Sequence, residues 1–210
     1  MKKKVKVRVT RGGHNEGAEL SDMLDGVLAA AAEGRVQELR NYLDRGGNPQ
    51  IKENEMFGYT LLQLTVLSNN PDAVSVVLQR RPDLNATADD GKTTALILAA
   101  TKGNANIISL LLRAGAYVST LSSPGAYPLL AAAEHATDEA PIRLLLRAGA
   151  SIRAVDESRE TVLHKAVQGR SPRVLRELRT SNPSHHHHLH LQPSQTQSTS
   201  HPPPHKQPNN

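Results

Sequence analysis

The sequence has no cysteine and no tryptophan, one phenylalanine and four tyrosines among 210 residues. Without cysteine there is no disulfide, no thiolate nucleophile and no cysteine metal site. With aromatics at 2%, a core built around Phe, Trp or Tyr is out of reach. Leucine and alanine must do the burying, which suits small, closely packed helices. Long apolar runs are missing too: none reaches the roughly 20 residues that a membrane-crossing helix needs. The basic start is not followed by an apolar stretch, so it does not read as a secretory signal.

Excess charge is missing from the middle of the chain. Residues 1–20 hold six Lys or Arg against two Glu, and residues 181–210 hold Lys206 alone, which accounts for the whole formal charge of +5. The central region is neutral, which argues against a broad nucleic-acid-binding face.

What is present is repetition. Leu110-Leu111-Leu112-Arg113-Ala114-Gly115-Ala116 returns as Leu144-Leu145-Leu146-Arg147-Ala148-Gly149-Ala150, 34 residues later. Each copy reads as the end of a helix: leucines to bury, Arg in the last turn, Gly115 or Gly149 as the left-handed stop. Val77-Leu78-Gln79-Arg80-Arg81-Pro82 and Tyr42-Leu43-Asp44-Arg45-Gly46-Gly47 hold the same place upstream. A second marker keeps the same step, with copies starting at Thr60, Thr94, Tyr127 and Thr161, and with Pro128 suited to a first helical turn. Two markers with one period indicate a stacked repeat array.

These residues resemble the ankyrin-repeat family, whose unit opens on Gly-x-Thr-Pro-Leu-His-x-Ala-Ala and closes on Val-x-x-Leu-Leu-x-x-Gly-Ala. Thr161-Val162-Leu163-His164 matches the opening in three of four places. Thr94-Ala95-Leu96, Ala99-Ala100, Gly103-Asn104 and the leucine triplet match most of one unit. The resemblance implies an all-α solenoid of about five helix-turn-helix units joined by β-hairpin loops, with disordered termini. The units are expected at about 22–51, 52–89, 90–122, 123–155 and 156–180, between a basic flexible arm at 1–21 and a disordered tail at 181–210. Ser21 or Asp22 is expected to cap the first helix. Extra residues near Gly91 and Ala136 should distort the third hairpin and the turn of the fourth unit. Gln63 stands where the family has His in the second unit. The resemblance implies that His164 ties neighbouring hairpins together, and that Asn85, after Asp83-Leu84, is open to hydroxylation.

No spacing sets a nucleophile against a base, and no Gly-rich phosphate loop or metalloprotease motif is present. We therefore expect no catalysis, no small-molecule substrate and no cofactor. His185-His186-His187-His188 with His190 reads as low complexity rather than a metal site.

What remains is a surface. In the ankyrin family, binding positions lie at the hairpin tips and just after the Ala-Ala pair. Carried over, the second unit offers Met56, Phe57, Tyr59, Leu67 and Ser68. The third offers Asp89, Asp90, Lys92, Thr101 and Lys102. The fourth offers Pro124, Ala126, Glu134 and His135, and the fifth Glu157, Ser158, Glu160, Gln168 and Gly169. Phe57 is the sole phenylalanine and falls at a tip beside Tyr59, where an interface anchor is favoured. The expected function is a non-enzymatic adaptor or scaffold gripping a protein partner in a concave groove, off the membrane. The alternatives are an inhibitor of a transcription factor or kinase, and the recruiting part of a larger enzyme such as a ubiquitin ligase. The expected location is cytoplasmic, with nuclear entry through the basic arm as the variant.

Overall fold

The computed structural model describes residues 16–53, 57–119 and 127–181, without the side chains of 16–20. The described residues form ten helices: α1 Glu16–Glu33, α2 Val36–Asp44, α3 Leu61–Leu67, α4 Pro71–Leu78, α5 Ala95–Lys102, α6 Ala105–Ala114, α7 Pro128–His135, α8 Ala140–Arg147, α9 Val162–Gln168 and α10 Pro172–Ser181. The odd-numbered helices pack each on the next to form one layer, and the even-numbered helices form a second behind it. Each odd helix also packs on the even helix that follows it. A continuous apolar core runs between the layers from Val27 to Leu178. It is built of Leu, Ile, Val and Ala, as the scarcity of aromatics requires.

Local chemistry explains the helix ends. Thr60, Thr94 and Thr161 cap α3, α5 and α9, each hydroxyl accepting from the backbone N–H three residues on. The odd helix of the fourth unit has no such cap, and Pro128 starts it instead, at a position whose N–H would have no partner. Asn70 and Asn104 cap α4 and α6. The triplets bury unequally: Leu111 and Leu145 are fully buried, whereas their flanking leucines are only partly covered. Truncating either buried leucine to Ala should cost about 3 kcal/mol. Gly115 and Gly149 follow in the left-handed region at φ +102° and +92°. Their turns close alike, with the Ala116 N–H donating to Leu111 O and the Ala150 N–H to Leu145 O, both at 3.0 Å. In the second unit Arg81 takes the left-handed place, at φ +50°.

Three expectations change. The first helix begins at Glu16, inside the expected arm, so Ser21 and Asp22 lie within α1 and cap nothing. Glu, Ala and Leu before them are good helix formers, and they carry the helix upstream. The extra residue near Ala136 is absorbed by an extended turn: Ala136 ends α7 at φ −74°, ψ 133°, where Gly103 ends α5 left-handed. The loops between units are hairpin-like, yet hold only the isolated bridges Lys52↔Thr60 and Val155↔Thr161 among the described residues. The arm to residue 15 and the tail from 182, His185–His188 and His190 included, lie outside the described residues, as do Met56, Pro124 and Ala126.

Candidate functional site

The second and third hairpins are joined edge to edge. The Glu53 N–H donates to Tyr59 O, and the Leu61 N–H to Ile51 O, both at 2.9 Å, closing the second hairpin. The Asp89 N–H then donates to Phe57 O at 2.8 Å, which fixes the second tip to the third. Gly58 makes that contact possible. It sits at φ +65°, and a Cβ there would lie 1.9 Å from an Asp89 carboxylate oxygen. The clasp leaves the Phe57 ring 52% exposed. It lies against Tyr59 with ring centroids 5.3 Å apart, tilted by 34°. Burial raises the Tyr59 hydroxyl above its ordinary value, with help from the carboxylates of Asp90 and Glu53.

Asp90 organises the third tip and absorbs its extra residue. Its carboxylate accepts from the Lys92 and Thr93 amides, both at 2.8 Å, and from the Thr93 hydroxyl. Burial pushes its carboxyl up, but the Thr93 and Lys92 bonds and the Lys92 charge outweigh that and hold it below the usual range. Lys92 pairs with Glu157 across 65 residues, linking the third tip to the fifth. Asp89, Asp90, Lys92, Glu157 and Ser158 are all exposed.

The carried-over positions at the ends of the odd helices divide into two kinds. Thr101, Lys102, His135 and Gln168 are exposed. Leu67 and Ser68 are part-buried, and the Ser68 hydroxyl donates to Thr65 O at 2.7 Å, so it serves the helix end. Gly169 is where two backbones meet: a Cβ there would lie 2.2 Å from Glu134 O. Glu134 and Glu160 belong to a cluster that sequence reasoning missed. Lys165 Nζ lies 2.7 Å from Glu160, 3.1 Å from Asp156 and 3.6 Å from Glu134. Gln168 donates to the other Glu160 oxygen at 2.7 Å. Bonds to Glu160, then Asp156, raise the Lys165 ammonium far above its ordinary value. The Glu160 backbone N–H, above all, and Lys165 hold Asp156 below the carboxylate range. Bonding to Lys165 does the same for Glu160. A signal was present in the sequence: Lys165 stands where the other units have Leu64, Leu98 and Ala131.

Among the described residues His164 ties no neighbouring hairpin and caps its own helix instead. Its Nδ1 accepts from the Thr161 N–H at 3.2 Å and its own N–H donates to Thr161 Oγ1, forming a cap within one unit. The side chain is exposed, and among the described residues no following hairpin lies within its reach. Gln63 is the tie instead. It is fully buried, accepts from the Thr60 N–H at 2.8 Å, and donates to Ala86 O at 3.0 Å and Thr93 O at 2.8 Å in the next loop. Asn85 is held in place: its side-chain oxygen accepts from the Tyr117 N–H at 2.9 Å, joining the third and fourth loops.

Among the described residues no group of three or more His, Asp or Glu is placed to hold a metal ion, and no helix is long and apolar enough to cross a membrane. No curated protein matches the chain. Residues 27–122 match the family model of ankyrin repeats in three copies, and α7 to α10 extend the same two layers beyond them. With repeats, paired helices and looped tips in agreement, residues 27–122 form ankyrin repeats within this two-layered helical stack.

Proposed function

We propose that this chain is a non-enzymatic adaptor or scaffold that holds a protein partner along the hairpin tips and the exposed ends of the odd-numbered helices. Ankyrin repeats are general protein–protein interaction modules, and stacked units give an extended surface for such binding. The observation that carries the reading is Phe57. A large ring left half in water on a tip fixed by Gly58 and the Asp89 amide is pre-organised, so little ordering entropy opposes its burial by a partner. Around it, Asp89, Asp90 and Lys92 give the rim a mixed charge that selects among partners. Thr101, Lys102 and His135 extend the same surface along the layer. The proposed place of action is the cytoplasm, or the nucleus if residues 1–21 carry import.

The test is affinity purification with the intact chain and with a Phe57→Ala, Tyr59→Ala double variant, the captured proteins being identified by mass spectrometry. For a captured partner, Phe57→Ala alone should weaken binding by more than about 1 kcal/mol while the helical circular dichroism is unchanged. Equal capture by the folded double variant would overturn the reading.

A further inference from the structure

The two ends of the stack are unlike its middle in the same register. On the odd-numbered helices, Leu62, Leu96 and Leu129 are 1% exposed, and the equivalent Leu163 on α9 is 45% exposed. Val66, Ala100 and Ala133 are fully buried, and the equivalent Val167 is 63% exposed. In α3, α5 and α7 the next odd helix packs over this position. Beyond α9, among the described residues, no further odd-numbered helix follows. The terminal unit of a repeat array normally turns a polar face outward, but here it turns out the two residue types that seat a neighbour elsewhere.

The other end shows the complement. Leu61, Ala95, Pro128 and Val162 open their helices and are buried. The same place on α1 is Gly26, exposed, where an added Cβ would meet nothing within 4 Å. Met23, one turn before it, is 52% exposed, and Ala29 is partly exposed. Small residues there leave room for a leucine and a valine. Charge agrees with this pairing. α1 carries Glu16, Glu19, Asp22, Asp25 and Glu33 and no basic residue. α10 carries Arg173, Arg176 and Arg179, and its one acid, Glu177, is already held by Arg143 at 2.9 Å.

We propose that this protein stacks head to tail on a second copy of itself, with α1 of one copy seated on Leu163 and Val167 of another. The contact continues the odd-numbered layer across the junction and brings the acid-rich end of one copy to the arginine-bearing end of the next. It is heterologous, so each dimer keeps one free end of each kind and can add further copies.

Sedimentation velocity of the full chain over a dilution series tests this. The wild type should sediment faster as concentration rises, and more so at low salt. A Leu163→Glu, Val167→Glu variant and a Gly26→Arg variant, each with the wild-type helical spectrum, should both stay monomeric at every concentration. Mixed, they should form one dimer and nothing larger, because each supplies the face the other has lost. Self-association by Gly26→Arg alone would mean a back-to-back contact and would overturn the proposal. So would a wild type that is monomeric throughout, which would give the α9 face to residues 182–210 or to another protein.

Discussion

The second and fifth units share an opening motif and differ in nearly everything the motif does. In both, a threonine caps the odd helix and the side chain three residues on reaches back to the threonine N–H. In the second unit that side chain, Gln63, is fully buried and spans to two carbonyls of the next loop. In the fifth unit His164 makes the cap and nothing more among the described residues. The residues beside it diverge the same way, Leu62 and Val66 covered, Leu163 and Val167 bare. A repeat motif therefore specifies the local turn by itself, but its share in holding the array depends on having a neighbour. With no further unit beyond it among the described residues, the fifth unit uses ion pairs around Lys165 in the slot where the second uses Leu64.

Removing both reaching side chains should show the contrast most sharply. Gln63→Ala leaves the Thr60 N–H and the Ala86 and Thr93 carbonyls without their partner in a buried place, a loss of about 3 kcal/mol. His164→Ala removes a solvent-exposed cap contact and should cost no more than about 0.5 kcal/mol. Chemical denaturation of the two variants checks this. Equal losses would mean that burial of the tie does not matter and would break the comparison.

The next effect concerns the junction that brings the fifth unit onto the fourth. Gly169 ends α9 with its Cα against the backbone of α7, and an added Cβ would meet Glu134 O at 2.2 Å and Ala133 O at 2.9 Å. A backbone carbonyl in a packed helix cannot swing aside as a side chain can. Gly169→Ala should therefore push α7 and α9 apart and cost about 2 kcal/mol. Hydrogen exchange should locate the loss in α9 and α10, with α3 to α6 still protected. Uniform loss of protection would instead show that the array opens as one unit.

Much of the fold was legible because its two strongest determinants are local and periodic. The threonine caps, the left-handed glycines and the buried leucine of each triplet depend on residues within one turn, and a period of about 34 repeats them. The start of α1 was not legible, because Glu16 to Leu20 lack the repeat signature and only their helix preference speaks for them. The site was legible in part. Phe57 at a tip followed from register, whereas the clasp beneath it depends on an approach of Gly58 to Asp89 across 31 residues, which no local pattern encodes. Ser68 and Gly169 were misplaced as surface for the same reason: what buries them belongs to another part of the chain, or to the turn as folded. Lys165 was readable as a cation in an apolar slot, but its three carboxylates come from two units and only the fold brings them together.

The smallest expected effect is the dependence of the fifth unit on pH. Asp156 and Glu160 are held below their ordinary values in the folded chain by the Glu160 backbone N–H and by Lys165. A carboxylate depressed in this way contributes stability that is present above its unfolded value and is lost as pH falls through its folded value. The raised Lys165 contributes with the opposite sign, fully present below its unfolded value and lost only on the far alkaline side of the lysine range. Between neutrality and about pH 5 the cluster should therefore hold constant, and the fifth unit should weaken as pH falls below about 4. These groups lie near water, so salt should mute the effect. Lys165→Met removes the charge and places an apolar side chain where Leu64 and Leu98 stand in other units. It should flatten the acid limb of the stability profile for α9 while leaving that of α3 unchanged, as read by hydrogen exchange across the pH series. An acid limb equally steep in Lys165→Met would mean that the fifth unit draws its hold from α7 contacts alone, and the distinction between a unit joined by a buried tie and one joined by ion pairs would no longer stand.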